Sequence, residues 1–191
     1  MNNEVSAQDK EYLSKIRTNI SRFMKSCGVR YAIHGGRLLD IAPQDHEGAK
    51  PYFPPDIQIE SFDIDTESGA DIIGDICQIN SCVAPSSYNF IVCTEVLEHV
   101  RQPFFAVTEI ERMLAPGGYV FVSTPFNFRI HGPLPDCWRF TEHGLRELFQ
   151  HFDIIELDAL ESDDRFLMPI HYCLVAQKRR THGESRIRVG N

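Results

Sequence analysis

The chain has 191 residues, of which 42% are hydrophobic and 24% charged, a composition that describes one globular domain with no room for a second. The formal net charge is −8, and the excess lies in residues 31–177, which carry 8 basic and 23 acidic side chains. A body with a net charge of −15 repels a phosphate backbone, so we expect no nucleic acid among its substrates.

The first predicted element is an amphipathic helix over residues 9–27. Its apolar side chains recur at spacings of three and four residues, which places them on one face of a helix. We expect this helix to pack against the body as an N-terminal helical extension within residues 1–35. The apolar positions are Tyr12, Leu13, Ile16, Ile20, Phe23 and Met24.

Seven short apolar runs follow Gly36 and predict β-strands. Runs such as FIVC and YVFV lack alternation, which is typical of strands covered on both faces. Helical patterns over residues 95–114 and 141–151 separate the runs, and this alternation predicts a parallel sheet with right-handed crossovers. The runs are LLDIA (38–42), IQIESFDI (57–64), ADIIGDI (70–76), YNFIVCT (88–94), GYVFVSTP (118–125), FDIIELDAL (152–160) and HYCLVAQ (171–177).

The last two runs are joined by only ESDDRFLMP, too short for a helical crossover, so the last strand is expected to be antiparallel to its neighbours. The predicted fold class is therefore α/β, a Rossmann-like, doubly wound, mostly parallel seven-stranded sheet over residues 36–177. The basic tail, residues 178–191, is expected to be disordered.

The six cysteines are scattered singly, without a CxxC pair, so we expect reduced thiols. The N-terminus has no apolar run of signal-peptide length, and no stretch approaches the roughly 20 apolar residues of a spanning helix. We therefore expect a cytoplasmic protein with no membrane span, and the sequence does not indicate its oligomeric state.

Acidic residues end the first predicted strands. In an open α/β sheet ligands bind beyond the carboxyl ends of the strands, and a carboxylate about 20 residues after the first turn suits ribose hydroxyls. Each aspartate alone also fits a turn or a helix N-cap, but three at successive strand ends favour a nucleoside pocket. The residues are Asp40, Asp63, Asp75 and the pair Thr94-Glu95.

The first turn lacks the GxGxxG pattern of dinucleotide sites, and the chain has no GxxxxGK[ST] phosphate loop. Missing glycines and abundant carboxylates suit a nucleoside cofactor with no phosphate and with positive charge of its own. S-adenosylmethionine meets that description.

The order of segments resembles class I S-adenosylmethionine-dependent methyltransferases over roughly residues 36–177. The most specific match is EVLEHV followed by MLAPGG, and it is supported by RLLDIAP, FDID, GDIC and HGPLPDCWRFTEHGLRELF. The resemblance implies cofactor contacts at the methionine end from Asp40 and Ala42, at the ribose from Asp63 and Ile64, at the adenine from Asp75 and Ile76, and beneath the methyl from Thr94 and Glu95.

Two positions depart from the family pattern. Ala42 and Pro43 stand where the family usually has a glycine-rich turn, which bears on cofactor affinity. Asn89 stands where the family often has Asp, which changes a hydrogen bond at the start of a strand.

Glu95, Glu98 and His99 are spaced i, i+3 and i+4, so on one helical turn they would share a face. With His131 they form a candidate site for a divalent cation, in an ExxEH arrangement that resembles metal-assisted methyltransferases. The same residues also fit the generic family version, in which packing and electrostatics suffice. We therefore expect no divalent metal.

Residues 124–141 form an insertion rich in proline and aromatic residues, which indicates a substrate wall or lid. His131 is the candidate base for a hydroxyl acceptor and His99 the second, because imidazole accepts a proton near neutral pH. Asp136, Trp138 and Arg139 are candidate substrate contacts. In the alternative interpretation the insertion is a packed loop in which Arg139 pairs with Asp136.

The sequence thus predicts a methyltransferase that acts on a small-molecule or glycan acceptor, by O- or N-methylation. The HGPLPDCWRFT segment resembles methyltransferases of glycan and other surface-polymer pathways, and the glycan acceptor is an analogy from that resemblance. A catalytically inactive methyltransferase-like interaction module stays as the alternative, and the missing phosphate fingerprint disfavours an NAD-type oxidoreductase.

Overall fold

A seven-stranded sheet forms the centre of the protein, seen in a computed structural model that describes residues 5–33, 35–43 and 48–180. The strand order is β3-β2-β1-β4-β5-β7-β6. Every predicted run contains a strand, and the predicted fold class is confirmed. The strands are β1 (Gly36–Ile41), β2 (Ile57–Asp63), β3 (Ile72–Ile73), β4 (Tyr88–Thr94), β5 (Leu114–Pro125), β6 (Phe152–Leu160) and β7 (His171–Lys178).

The pairing directions decide which residues meet at one edge of the sheet. Strands β1 to β5 pair in parallel, so that their carboxyl ends share an edge. Strand β7 is antiparallel to both β5 and β6, as its short connection predicted. Because β7 runs the other way, its first residue, His171, pairs with Pro125 at the end of β5 and lies at that same edge.

Helix α1 (Ala7–Arg30) covers one face of the sheet. Ser6 caps its N-terminus by accepting from Asp9 N at 3.0 Å. Met24 and Cys27 pack with Phe121 and Val175 of the sheet, as the amphipathic pattern predicted. Gly28 also lets α1 pass close to the short 3-10 helix Lys50–Tyr52, because a Cβ atom at this position would lie 1.9 Å from the carbonyl oxygen of Tyr52.

The helix predicted over residues 95–114 is wrong in its first half. Helix α2 spans Pro103–Met113, and residues 95–102 form turns. Glu95 has a φ of 55°, a left-handed conformation outside a right-handed helix. Pro103 disfavours the helical conformation at Gln102 and suits the first helical turn itself. Helix α3 (Glu142–Leu148) begins where predicted, with Thr141 Oγ1 accepting from Gly144 N.

Other expectations have mixed outcomes. The six cysteines are unpaired, as expected. Asn89 Oδ1 accepts from Arg37 N at 3.0 Å, a hydrogen bond at the start of β1. Among the helices of the described residues, none has the length and apolar character to cross a membrane. Of the tail expected to be disordered, residues 181–191 lie outside the described residues, and Lys178 is the last residue of β7.

Candidate active site

A cavity of about 1270 Å³ lies at the carboxyl edge of the parallel strands. Helix α1 forms one wall through side chains such as Leu13 and Arg17, and residues 128–135 of the insertion form another. Residues 128–135 belong to the insertion that the sequence predicts as a substrate wall or lid. The predicted site residues in the lining are Ala42, Asp63, Ile64, Asp75, Ile76, Glu95, His99 and His131.

The other predicted site residues lie outside this lining. Thr94 ends β4 beside Ser123, and its side chain is half-buried. Asp40 is 5% exposed, and its Oδ2 accepts from Ala49 N at 2.7 Å. Asp40 therefore holds the backbone of Ala49 close to the end of β1.

Ala42 stands at the turn where the resemblance leads one to expect glycine. Its φ is 51°, and its N donates to Phe62 O at 2.7 Å, which ties the turn to the end of β2. The left-handed conformation costs an L-residue roughly 1–2 kcal/mol. The chain therefore keeps the backbone path of a glycine turn while carrying a methyl group into the cavity.

Asp63 and Asp75 differ in what they can offer a ligand. Asp75 uses both oxygens locally, accepting from Cys77 N and from Gln78 Nε2. Asp63 Oδ1 accepts from Asp65 N at 2.8 Å, and no donor within the described residues contacts its Oδ2. Both aspartates therefore stabilise the turns that follow their strands. Asp63 Oδ2 could in addition accept a hydrogen bond from a ligand.

Glu95 is held at the floor of the cavity by two donors. Its Oε1 accepts from Ser123 Oγ at 2.8 Å and from His171 Nε2 at 2.7 Å. His171 is fully buried and was missed by the sequence interpretation, because it opens an apolar run. Its antiparallel strand is the signal that could have found it: the first residue of such a strand lies at the carboxyl edge of its parallel neighbours.

Glu98, by contrast, is fully buried with no hydrogen-bond partner for either oxygen in the described part of the chain. The Nε2 atoms of His99 and His131 lie 3.7 and 3.8 Å from its Oε1. Burial raises the pKa of Glu98 well above its usual range, and the charge of Glu95 raises it further. We call Glu98, His99 and His131 the Glu98 cluster.

Each imidazole of the Glu98 cluster is anchored through its Nδ1 atom. His99 Nδ1 lies 3.0 Å from the carbonyl of Pro135, and His131 Nδ1 lies 3.2 Å from Asp136 Oδ2. Since both partners are acceptors, each Nδ1 carries the proton, and in the neutral rings each Nε2 is an acceptor facing Glu98. A proton on Glu98, a second proton on either ring or a cation among the three groups would relieve this meeting of acceptors.

The structure also changes the metal interpretation based on sequence. Ligand atoms of Glu98, His99 and His131 all lie within 4.8 Å of one another, whereas Glu95 is turned toward His171. The expected shared helical face of Glu95, Glu98 and His99 is wrong, because these residues precede α2. Glu98, His99 and His131 therefore come together as candidate metal ligands, whereas Glu95 does not join them.

Asp136, Arg139 and Trp138 support the insertion and lie outside the cavity lining. Asp136 accepts two hydrogen bonds from Arg139 and one from His131 N. Chiefly because of Arg139, the pKa of Asp136 falls to about 2. Trp138 Nε1 donates to Val100 O, and its ring stacks on Phe140. For these three residues the packed-loop alternative is the better description.

Comparison with known proteins gives a family match over most of the chain. A family model described as a methyltransferase domain matches residues 10–165, which includes most of α1. The ubiquinone biosynthesis O-methyltransferase of Aliivibrio fischeri is 42% identical over 40 residues, 21% of this chain and 17% of that protein. Probable polyketide synthase 26 of Dictyostelium discoideum is 33% identical over 67 residues, 32% of this chain and 3% of that protein. The chain thus spans less than a fifth of these curated relatives.

Solved structures share the fold at low sequence identity. The 1,6-didemethyltoxoflavin-N1-methyltransferase of Burkholderia thailandensis, solved with S-adenosylhomocysteine, has a TM-score of 0.63 at 13% identity, covering 94% of this chain and 93% of that chain. The cyclase SpnF has a TM-score of 0.64 at 16% identity, covering 84% and 81%. Since one of these proteins is a cyclase, the shared fold alone does not establish methyl transfer.

The unpaired Glu98 carboxyl makes stability depend on pH. A folded-state pKa raised above the unfolded value favours folding below about pH 4.3, and the advantage is lost as pH rises. With metal removed by EDTA, Glu98→Gln should therefore gain stability relative to the unmodified protein between pH 4 and pH 8. We expect the difference to grow as the pH rises through this range, because the unmodified protein must then either hold a proton on Glu98 or bury an unsatisfied charge.

Urea unfolding of both proteins at several pH values measures this difference in the free energy of unfolding. Subtracting one free energy from the other cancels the contribution of groups that titrate equally in the two proteins. A difference that stays constant with pH, or that grows in favour of the unmodified protein, would contradict the assignment of Glu98 as an unpaired buried acid.

Proposed function

Since the chain belongs to the methyltransferase domain family, we propose that it transfers a methyl group from S-adenosylmethionine to a small-molecule or glycan acceptor. The observation that carries this proposal is the single cavity that gathers Ala42, Asp63, Asp75 and Glu95 from successive strand ends. Ligands of open α/β sheets bind at this edge. When bound, S-adenosylmethionine supplies an electrophilic methyl group on a positively charged sulfur.

Asp63 and Glu95 are the residues to which we assign cofactor contacts. Asp63 Oδ2 is placed to accept from ribose hydroxyls, while its Oδ1 is fixed by Asp65 N. Glu95 presents a carboxylate at the cavity floor, where it favours a cationic ligand. Ile64 and Ile76 border the same region and offer apolar surface to an adenine ring.

The size of the cavity favours two ligands together. Its volume of about 1270 Å³ exceeds the roughly 300–1,000 Å³ of common small-molecule sites. The half formed by α1 and residues 128–135 is left for the acceptor. Holding donor and acceptor in line is the main catalytic contribution that the chain makes to a displacement.

The Glu98 cluster is where we place activation of the acceptor. In the sequence interpretation His131 removes the acceptor proton, and Asp136 would orient such a base through Nδ1. The geometry favours a second possibility, because both Nε2 atoms face a buried carboxylate that has no hydrogen-bond partner in the described part of the chain. Glu98, His99 and His131 would hold a divalent cation, which supplies positive charge that lowers the pKa of an acceptor hydroxyl.

The donor set also indicates which cations fit. Two imidazoles and one carboxylate suit Zn²⁺ or Co²⁺ better than Mg²⁺ or Ca²⁺, which prefer oxygen ligands. This proposal replaces the expectation of a site without metal. The base and the cation would use the same Nε2 atom of His131, so the two mechanisms are separable by experiment.

The interaction module is the weaker candidate. Its chief support is the departure at Ala42 and Pro43, yet both residues lie in the cavity wall and leave the cavity open. Ala42 also keeps the backbone conformation of a glycine turn. The altered turn therefore leaves the cofactor region accessible.

S-adenosylhomocysteine should raise the melting temperature of the protein, whereas NAD should not. A ligand at 100 times its Kd stabilises a protein by about 2.7 kcal/mol. Asp63→Ala should remove most of the shift, because it removes the carboxylate assigned to the ribose. The measurement is thermal unfolding with and without each ligand, with binding checked by calorimetry.

Asp65→Ala is the matched control, since Asp65 lies in the same turn but outside the cavity lining. It should retain the shift. If neither S-adenosylmethionine nor S-adenosylhomocysteine at millimolar concentration changed the melting temperature, the interaction module would become the better description. Equal binding by Asp63→Ala would refute the ribose assignment alone.

The cation proposal is tested on full-length protein without an affinity tag. After EDTA treatment, Co²⁺ should bind and show visible absorption that Zn²⁺ abolishes, because both fit the same three ligands. His99→Ala and Glu98→Gln should lose this absorption, and His143→Ala on the exposed side of α3 should keep it. Absence of Co²⁺ binding, together with methyl transfer indifferent to EDTA, would return His131 to the role of base.

A further inference from the structure

We propose that His171 is a positioning residue for Glu95, and that Asn19 on α1 fixes the tautomer in which His171 acts. The three side chains come from the first helix, the turn after β4 and the start of β7. They form a continuous hydrogen-bonded chain from α1 to the cavity floor.

The partners of His171 determine where its proton lies. Asn19 Nδ2 is 3.1 Å from His171 Nδ1, and an amide nitrogen can only donate. His171 Nδ1 is therefore an acceptor, and Nε2 carries the proton that it donates to Glu95 Oε1 at 2.7 Å. In this tautomer the ring donates one hydrogen bond to the carboxylate and accepts one from the helix.

No other titratable group competes strongly for this ring. Cys173 Sγ lies 3.8 Å from His171 Nδ1 and 3.3 Å from Asn19 Nδ2. Burial raises the pKa of the Cys173 thiol, which keeps it neutral. Among the residues that the structure describes, Glu95 is the only carboxylate in hydrogen-bond contact with His171, and the neutral Cys173 thiol is the only other ionisable group in such contact.

Glu95 is constrained at its backbone as well as at its side chain. Its N donates to Ser123 O at 3.0 Å, and its φ is 55°. Ser123 Oγ joins His171 in donating to Oε1, while no donor in the described ranges contacts Oε2. The arrangement fixes one carboxylate oxygen and leaves the other for a donor or a cation in the cavity.

Helix α1 thereby becomes part of the site in two ways. Leu13, Ile16, Arg17 and Ile20 line the cavity, and Asn19, next to Ile20, reaches the floor through His171. A ligand in contact with the α1 wall therefore touches a helix that is hydrogen-bonded, through Asn19 and His171, to Glu95 at the cavity floor. That the ligand is S-adenosylmethionine rests on the proposed function, whereas the hydrogen-bonded chain does not.

The experiment has two readouts on the full-length protein. Nitrogen-15 NMR of the His171 ring in the ligand-free protein should show the proton on Nε2, and Asn19→Leu should disturb that pattern. His171→Leu should weaken S-adenosylmethionine binding about tenfold, a change of about 1.4 kcal/mol. It should weaken S-adenosylhomocysteine binding less, because that product lacks the sulfonium charge that faces Glu95.

The conservative variant and the control separate positioning from folding. His171→Gln keeps an amide donor near the position of Nε2 and should restore most of the S-adenosylmethionine affinity. Thr18→Val should change neither readout, because Thr18 lies beside Asn19 but is exposed, and its hydroxyl donates to Ser14 O within α1. Circular dichroism checks that each variant is folded.

The outcomes also distinguish this inference from the proposed function. A proton on Nδ1 of His171 would overturn the inference whatever the protein binds. Normal cofactor affinity in His171→Leu would overturn the positioning role. If the unmodified protein binds no cofactor while the Nε2 proton is observed, the proposed function fails and the hydrogen-bonded chain stands.

Discussion

The parallel pairing of β1 to β5 is the constraint on which the rest of the structure depends, because it brings their carboxyl ends to one edge. Residues far apart in the chain, such as Ala42, Asp63 and Glu95, meet there around one cavity. The reversal at β7 adds His171 to the same edge from the opposite chain direction. A parallel last strand would place that residue at the far end of the sheet.

Glu95 and Glu98, three residues apart at this edge, have opposite hydrogen-bonding environments. Glu95 Oε1 accepts hydrogen bonds from Ser123 and His171. Glu98 is buried, has no hydrogen-bond donor among the residues that the structure describes and faces two imidazole nitrogens, so its surroundings favour the acid or a bound cation. In the proposed function the two carboxylates therefore have separate tasks: Glu95 faces the cofactor, and Glu98 acts with His99 and His131 on the acceptor side.

The sequence was sufficient for the sheet and for much of the cavity lining, because buried strands have a strong apolar pattern and their ends have fixed positions. It was insufficient where backbone conformation or contacts between distant residues determine a helix boundary or the partner of a side chain. The φ of Glu95 and the position of Pro103 start α2 late, which separates Glu95 from Glu98. Arg139 was predicted to meet substrate, yet it pairs with Asp136, an outcome that composition cannot distinguish. The contact between His171 and Glu95 spans 76 positions and has no local signature.

The central claim is that the carboxyl edge of this sheet binds an adenosine-containing cofactor through Asp63. The most direct measurement is a crystal structure of the protein with S-adenosylhomocysteine. We expect the ribose hydroxyls within hydrogen-bond distance of Asp63 Oδ2 and the sulfur on the side of Glu95. A ribose bound to other residues, or the nucleoside bound outside the cavity, would contradict the account.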